Sequence, residues 1–150
     1  MRAVVQRVSE ASVKINNQIV GNIGIGFLVL LGIEELDEES DADWLAKKIA
    51  TLRVFSDKEG AMNLDLNQVS GKCLVISQFT LHAKTKKGTR PSFIKAAKPE
   101  HAIPLYGEFI RKLEAYTNSK VETGEFGADM KVGLINDGPV TILIDTKNKE

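Results

Sequence analysis

The sequence is poor in the residues that carry most metal and covalent chemistry. It holds one cysteine and two histidines in 150 residues, which excludes an internal disulfide. The histidines, His82 and His101, stand nineteen residues apart, and no His-x-x-x-His or paired-cysteine pattern marks a zinc site. Cys73 sits in the apolar run Cys73-Leu74-Val75-Ile76, away from cationic groups, and reads as a buried inert thiol rather than a nucleophile. A serine-hydrolase elbow is missing too, since Ser77 is followed by Gln78-Phe79 and has no flanking glycines. The longest apolar stretch, Phe27 to Ile33, falls far short of the ~20 residues of a membrane helix. Arg2 and Arg7 stand where a signal peptide needs an apolar core. These absences predict a soluble cytoplasmic chain that uses neither metal nor cofactor.

Net charge is also missing, because twenty basic and twenty acidic residues cancel, so bulk charge advertises no polyanionic partner. The distribution is uneven. Seven carboxylates fall between Glu34 and Asp43 with no basic residue among them, whereas His82 to Lys98 carries Lys84, Lys86, Lys87, Arg90, Lys95 and Lys98 and no acid. The basic stretch is either a surface able to hold phosphates or a solvated loop, and charge alone leaves both open.

The remaining chain fits one domain, residues 1–150, able to bury roughly two thirds of its unfolded surface. Ala3 to Val8 reads as a short strand, and Val13-Lys14-Ile15 as the first arm of a hairpin turning at Asn16-Asn17 into Ile19-Val20. Phe27 to Leu31 has the continuous apolar character of a strand covered on both faces. Gly21, Gly24 and Gly26 before it match neither dinucleotide nor Walker spacing and read as turn residues. Ser40 with Asp43 predicts a helix cap, and Ala42, Leu45, Ile49 and Leu52 predict a helix running to about Phe55. Cys73 to Leu81 reads as a strand, and Pro99 to about Tyr116 as a second helix with Leu105, Phe109, Leu113 and Tyr116 on its apolar stripe. Met130 to Leu134 and Val140 to Ile144 alternate around Asn136-Asp137-Gly138-Pro139, which predicts a closing hairpin. The pattern is α+β: a mostly antiparallel sheet with two main helices packed on it.

Two segments stand out. Ser77-Gln78-Phe79-Thr80-Leu81 sets three polar side chains at the end of an apolar strand, which marks either a site or a strand leaving the core. A strand reaching His82 would put Gln78, Thr80 and His82 on one face and make a Thr80–His82 pair conceivable. Asn136-Asp137-Gly138-Pro139-Val140-Thr141 taken alone is a turn.

Together, these two segments resemble the paired signatures of the D-aminoacyl-tRNA deacylase family. Met1 to Val8, the loop Gly88-Thr89-Arg90-Pro91-Ser92-Phe93 and the segment Thr123 to Met130 extend the resemblance over nearly the whole chain. It implies a barrel-like core and a homodimeric ester hydrolase that removes D-amino acids, and mischarged glycine, from transfer RNA. It implies Ser77, Gln78, Phe79 and Thr80 at the catalytic pocket, with the Phe79 N–H as a donor to the ester carbonyl oxygen. It further implies a cis Gly138–Pro139 bond whose carbonyls enter the partner subunit's pocket as a chirality filter, braced by Arg7. Thr80 is the tempting nucleophile but lacks an evident base, and it ranks below the route that the resemblance implies, in which the 2′-hydroxyl of the terminal adenosine helps position or activate water. Under this reading Lys84, Lys86, Lys87 and Arg90 would meet acceptor-stem phosphates, and the expected partner is transfer RNA rather than DNA or a membrane.

Overall fold

The computed structural model describes residues 1–150. The chain runs β1 (Arg2–Ile15), β2 (Gln18–Ile23), β3 (Gly26–Gly32), α1 (Glu39–Ala50), β4 (Phe55–Ser56), β5 (Met62–Leu64), β6 (Lys72–Ser77), a 3-10 helix (Phe79–His82), α2 (Pro99–Thr117), β7 (Glu122–Thr123) and β8 (Lys131–Asp145). No helix is long and apolar enough to cross a membrane.

The long strand β1 organises the sheet. One edge pairs antiparallel with β3 through Arg2 to Val8 and then with β2 through Ala11 to Ile15, while the other edge carries β8 over Arg2 to Lys14. Beyond β3 the sheet continues with β6 and β7, both parallel to their neighbours, so three antiparallel pairings and two parallel ones make it mixed. The two stretches expected as separate strands, Ala3–Val8 and Val13–Ile15, are one strand. The hairpin at Asn16-Asn17 is as expected: both residues have positive φ, 50° and 64°, which a tight turn matching the sheet twist requires.

Strand β3 explains its own apolar run. Phe27, Val29 and Leu31 enter the main core of 23 buried residues, beneath Leu45 and Ile49 of α1 and Phe109 and Leu113 of α2. Leu28 points the other way, into a second cluster with Val8, Ile23, Leu74 and Ile76. Alternation across a sheet buried on both faces thus demands apolar residues at every position.

Helix α1 departs from its expected ends. Its cap is Glu38, whose N–H donates to the Asp41 carboxylate at 2.9 Å, two residues before the Ser40–Asp43 pairing. Asp43 instead accepts from Lys112 Nζ at 3.1 Å and Tyr116 Oη at 2.9 Å, clamping α1 to α2. The helix stops at Ala50, not near Phe55, because the Thr51 hydroxyl turns back to the Lys47 carbonyl and Phe55 is needed against Phe27, ring centres 5.0 Å apart. Helix α2 spans the expected residues.

A buried ion pair closes the start of the fold. The Met1 ammonium is hydrogen-bonded to Asp37 and, at 2.7 Å, to Thr146 Oγ1, while the Thr146 N–H donates to the Met1 carbonyl. It ties the start of β1 to the segment before α1 and to the residue after β8.

Where β3 meets β6, Gly26 has φ +155°, and a β-carbon there would lie 1.8 Å from the Lys72 carbonyl oxygen. Gly26→Ala is therefore expected to cost about 3 kcal/mol or more in urea unfolding. An unchanged midpoint would show that the β3–β6 junction is not held this tightly.

Candidate active site

The sheet ladder between β3 and β6 ends at the pair Leu31 and Ser77. One more bond, from Gln78 N–H to the Leu31 carbonyl at 2.7 Å, fixes the exit, after which Phe79 to His82 coil into the 3-10 helix. The expected extended strand to Leu81 is thus cut short at Ser77, and the strand alternation that placed Gln78, Thr80 and His82 on one face does not apply. Thr80 is exposed, His82 is buried, and the Thr80 hydroxyl meets the Gln78 side-chain amide instead of a histidine. No base lies against Thr80.

Phe79 opens the helix, so its N–H has no acceptor within the turn. Ser77, Gln78 and Phe79 line a cavity of about 320 Å³ together with Ile33, Phe126, Asp129 and Met130. A mostly apolar cleft with a few polar groups at one rim is the usual form of a small-molecule site. Phe126 is propped by Tyr106, ring centres 5.9 Å apart, and the Tyr106 hydroxyl donates to the Val75 carbonyl at 2.9 Å. Burial pushes the Tyr106 phenol up to about 12 and the Cys73 thiol to about 12, so neither supplies an anion near neutral pH. The segment Thr123 to Met130 figured in the sequence only as a resemblance; its wall residues carry no periodic or charge signal of their own.

The second segment is not the turn of a hairpin. Strand β8 runs unbroken from Lys131 to Asp145 along β1, and the motif is a bulge within it. Gln6 faces Thr141 and Val8 faces Asn136, so five steps on β8 match two on β1 and three residues loop outward. The Gly138–Pro139 peptide is cis. Arg7 grips the base of the loop: its Nε donates to the Asp137 carbonyl at 2.8 Å and its Nη1 to the Val54 carbonyl. On the other flank the Asn136 carboxamide accepts from Val140 N–H at 2.7 Å and donates to Thr141 Oγ1 at 3.0 Å. Gly138, with φ +142°, admits no side chain, since a β-carbon would stand 2.8 Å from Arg7 Nη2. Gly138 and Pro139 themselves are exposed.

Arg7, Gly138 and Pro139 therefore form one cluster, and Ser77 to Thr80 another. Within one chain the loop does not line the cavity.

The basic stretch continues from the second cluster. Lys84 and Ser92 exchange backbone hydrogen bonds of 2.8 and 3.0 Å, and Phe93 sets its ring edge-on to Phe79 at 5.1 Å, which moors the loop over the cavity rim. Lys84, Lys86, Lys87 and Arg90 are exposed and enter no ion pair. In the acidic stretch Asp37, Asp41 and Asp43 are engaged by Met1, Lys147 and Lys112.

Comparison with known proteins gives a consistent result. The family described as D-Tyr-tRNA(Tyr) deacylase matches residues 4–145. The chain is 59% identical to the D-aminoacyl-tRNA deacylase of Flavobacterium psychrophilum and 60% identical to that of Cytophaga hutchinsonii, each over the full length of both proteins. Among solved structures, one named c-Myc DNA Unwinding Element Binding Protein superposes with a TM-score of 0.91 at 39% identity, covering 97% of this chain and 98% of its own.

The buried Cys73 gives a direct check on the packing. A thiol reagent at mildly alkaline pH is expected to label the folded protein no faster than the protein unfolds. Prompt stoichiometric labelling in native buffer would show that the thiol is not buried.

Proposed function

The chain belongs to the D-Tyr-tRNA(Tyr) deacylase family, and from that premise we propose that it hydrolyses the ester bond of D-aminoacyl-tRNA to release free D-amino acid and transfer RNA. The observation that carries this reading is the rim formed by Ser77, Gln78 and Phe79, which ends an apolar strand in a cavity with an open backbone N–H. A rim of this kind suits an ester carbonyl better than it suits a DNA duplex, the ligand in the name of the structural neighbour.

In the proposed reaction water adds to the ester carbonyl carbon, and the oxygen that gains charge accepts a hydrogen bond from the Phe79 N–H. The bond to the ribose oxygen then breaks, and that oxygen takes up the proton released by the attacking water. The 2′-hydroxyl of the terminal adenosine helps position that water; Asp129, the one carboxylate lining the cavity, is paired with Lys131 at 2.9 Å, and Cys73 and Tyr106 hold their protons. An already activated ester needs orientation and oxyanion stabilisation more than it needs a charged catalyst.

Chirality is read by backbone. The carbonyls of Gly138 and Pro139 from a second copy of the chain would face the α-carbon of the bound amino acid, where an L side chain collides, a D side chain points away and glycine has nothing to collide. Support comes from the outward, doubly braced loop and from its absence from its own chain's cavity. The unpaired edge of β8, with Leu134, Ile135 and Leu143 exposed, offers the surface on which two copies would meet. Lys84, Lys86, Lys87 and Arg90 would hold acceptor-stem phosphates, so activity should fall with salt. The setting is chirality proofreading in the cytoplasm.

The test is hydrolysis of matched D-Tyr-tRNA and L-Tyr-tRNA with chelator present. Loss of the D ester alone is expected; equal survival of both would refute the function. Thr80→Ala should keep turnover within about tenfold of wild type, whereas a nucleophilic Thr80 would lose several orders of magnitude. Gly138→Ala, which forces a methyl onto Arg7, is expected to lower D-ester hydrolysis at least about tenfold.

A further inference from the structure

His82 closes the 3-10 helix that begins at Phe79, and its ring is buried with both nitrogens lacking any hydrogen-bond partner. They are the only buried side-chain nitrogen or oxygen atoms of the protein left in that state. Native interiors rarely tolerate this, because each unpaired nitrogen forfeits its hydration for nothing.

An acceptor stands one rotation away. Glu34, just past the end of β3, holds an Oε2 4.0 Å from His82 Nδ1, and its carboxylate accepts no other hydrogen bond. Its backbone is already pinned: the Glu34 N–H donates to Asp37 Oδ2 at 2.8 Å, and its carbonyl accepts the Asp37 N–H at 3.1 Å. Only the side chain has to move, by about 1 Å, to reach hydrogen-bonding distance. Two other strand ends bear on the turn. From β1, Arg2 donates through Nη1 to the Leu81 carbonyl at 3.0 Å, with its charge engaged by Asp145 at 2.8 Å. From β3, Gly32 packs on the carbon edge of the imidazole, where an added β-carbon would stand 3.1 Å from Cδ2, and it brings no charge or side-chain acceptor to the ring. Arg2 thus holds the turn by its backbone, and Glu34 is the charged group facing the ring.

The geometry points to His82 and Glu34 as a positioning pair: the His82 Nδ1–H donates to the Glu34 carboxylate and fixes the far end of the turn that presents the Phe79 N–H. As to what is positioned, this rests on the deacylase reading. Neither residue touches the reacting atoms; the pair acts through the orientation of the donor at the other end of four residues.

Two measurements separate the pair from the function. With only two histidines in the chain, imidazole nitrogen NMR is simple to read, and His101→Gln assigns it. A ring protonated at Nδ1, whose resonance shifts in Glu34→Ala, is expected; a bare Nδ1, or a spectrum indifferent to Glu34→Ala, overturns the pair. In the hydrolysis assay, His82→Leu and Glu34→Ala should each lower kcat roughly three- to tenfold with KM unchanged, and the double substitution should go no lower. Glu34→Gln, which keeps an acceptor, should retain most of the rate. Losses that multiply in the double variant, or that follow thermal stability rather than kcat, overturn the positioning role. If wild type hydrolyses no D-Tyr-tRNA, the function is wrong while the NMR result still decides the pair.

Discussion

Everything distinctive about this fold passes through the guanidinium of Arg7. It rises from the middle of β1, is almost wholly buried, and spends its donors on main-chain carbonyls at Asp137 and Val54 rather than on a carboxylate. A buried cation satisfied by carbonyls is held in direction as well as in place, because the planar fork has few alternative partners in reach. Two long strands can then lie side by side, with three residues of one looping outward and the register recovered on either side. Without that grip the extra residues of β8 would have to be absorbed by slippage, which flips every side chain to the other face.

Much of the architecture was legible in the sequence because it follows periodicity. The doubly covered β3, the stripe of α2 and the turn at Asn16-Asn17 each follow from a local rule that tertiary packing reinforces. The departures share a cause. Asn136-Asp137-Gly138-Pro139 reads as a hairpin turn because turn chemistry and bulge chemistry draw on the same residues; only the partner strand, more than a hundred residues earlier, says which applies. The early end of β6 is likewise set from outside, by the last bond to Leu31, and that of α1 partly so, by the Phe27 ring together with the local Thr51 bond to Lys47.

The candidate site divides in the same way. Ser77, Gln78 and Phe79 could be singled out because polar residues at the end of a buried strand break a pattern. Phe126 and Met130 could not, since apolar residues in an irregular loop look alike whether they wall a cavity or cap a core. The charge asymmetry was visible as composition, but its meaning lay in pairing. Asp37, Asp41 and Asp43 are paired within the fold, while Lys84, Lys86 and Lys87 are exposed and enter no ion pair.

In the β8 bulge Asp137, Gly138 and Pro139 are exposed, and only Val140 behind them joins the core. The loop is held by Arg7, which donates to the Asp137 carbonyl, and by the neighbouring Asn136. A surface written in main-chain atoms is unusually resistant to genetic drift, since most codon changes alter side chains and leave a carbonyl where it was. In the proposed role the same property would make it blind: carbonyls could sense handedness at an α-carbon but not which amino acid is attached, so one such loop would serve many substrates without retuning.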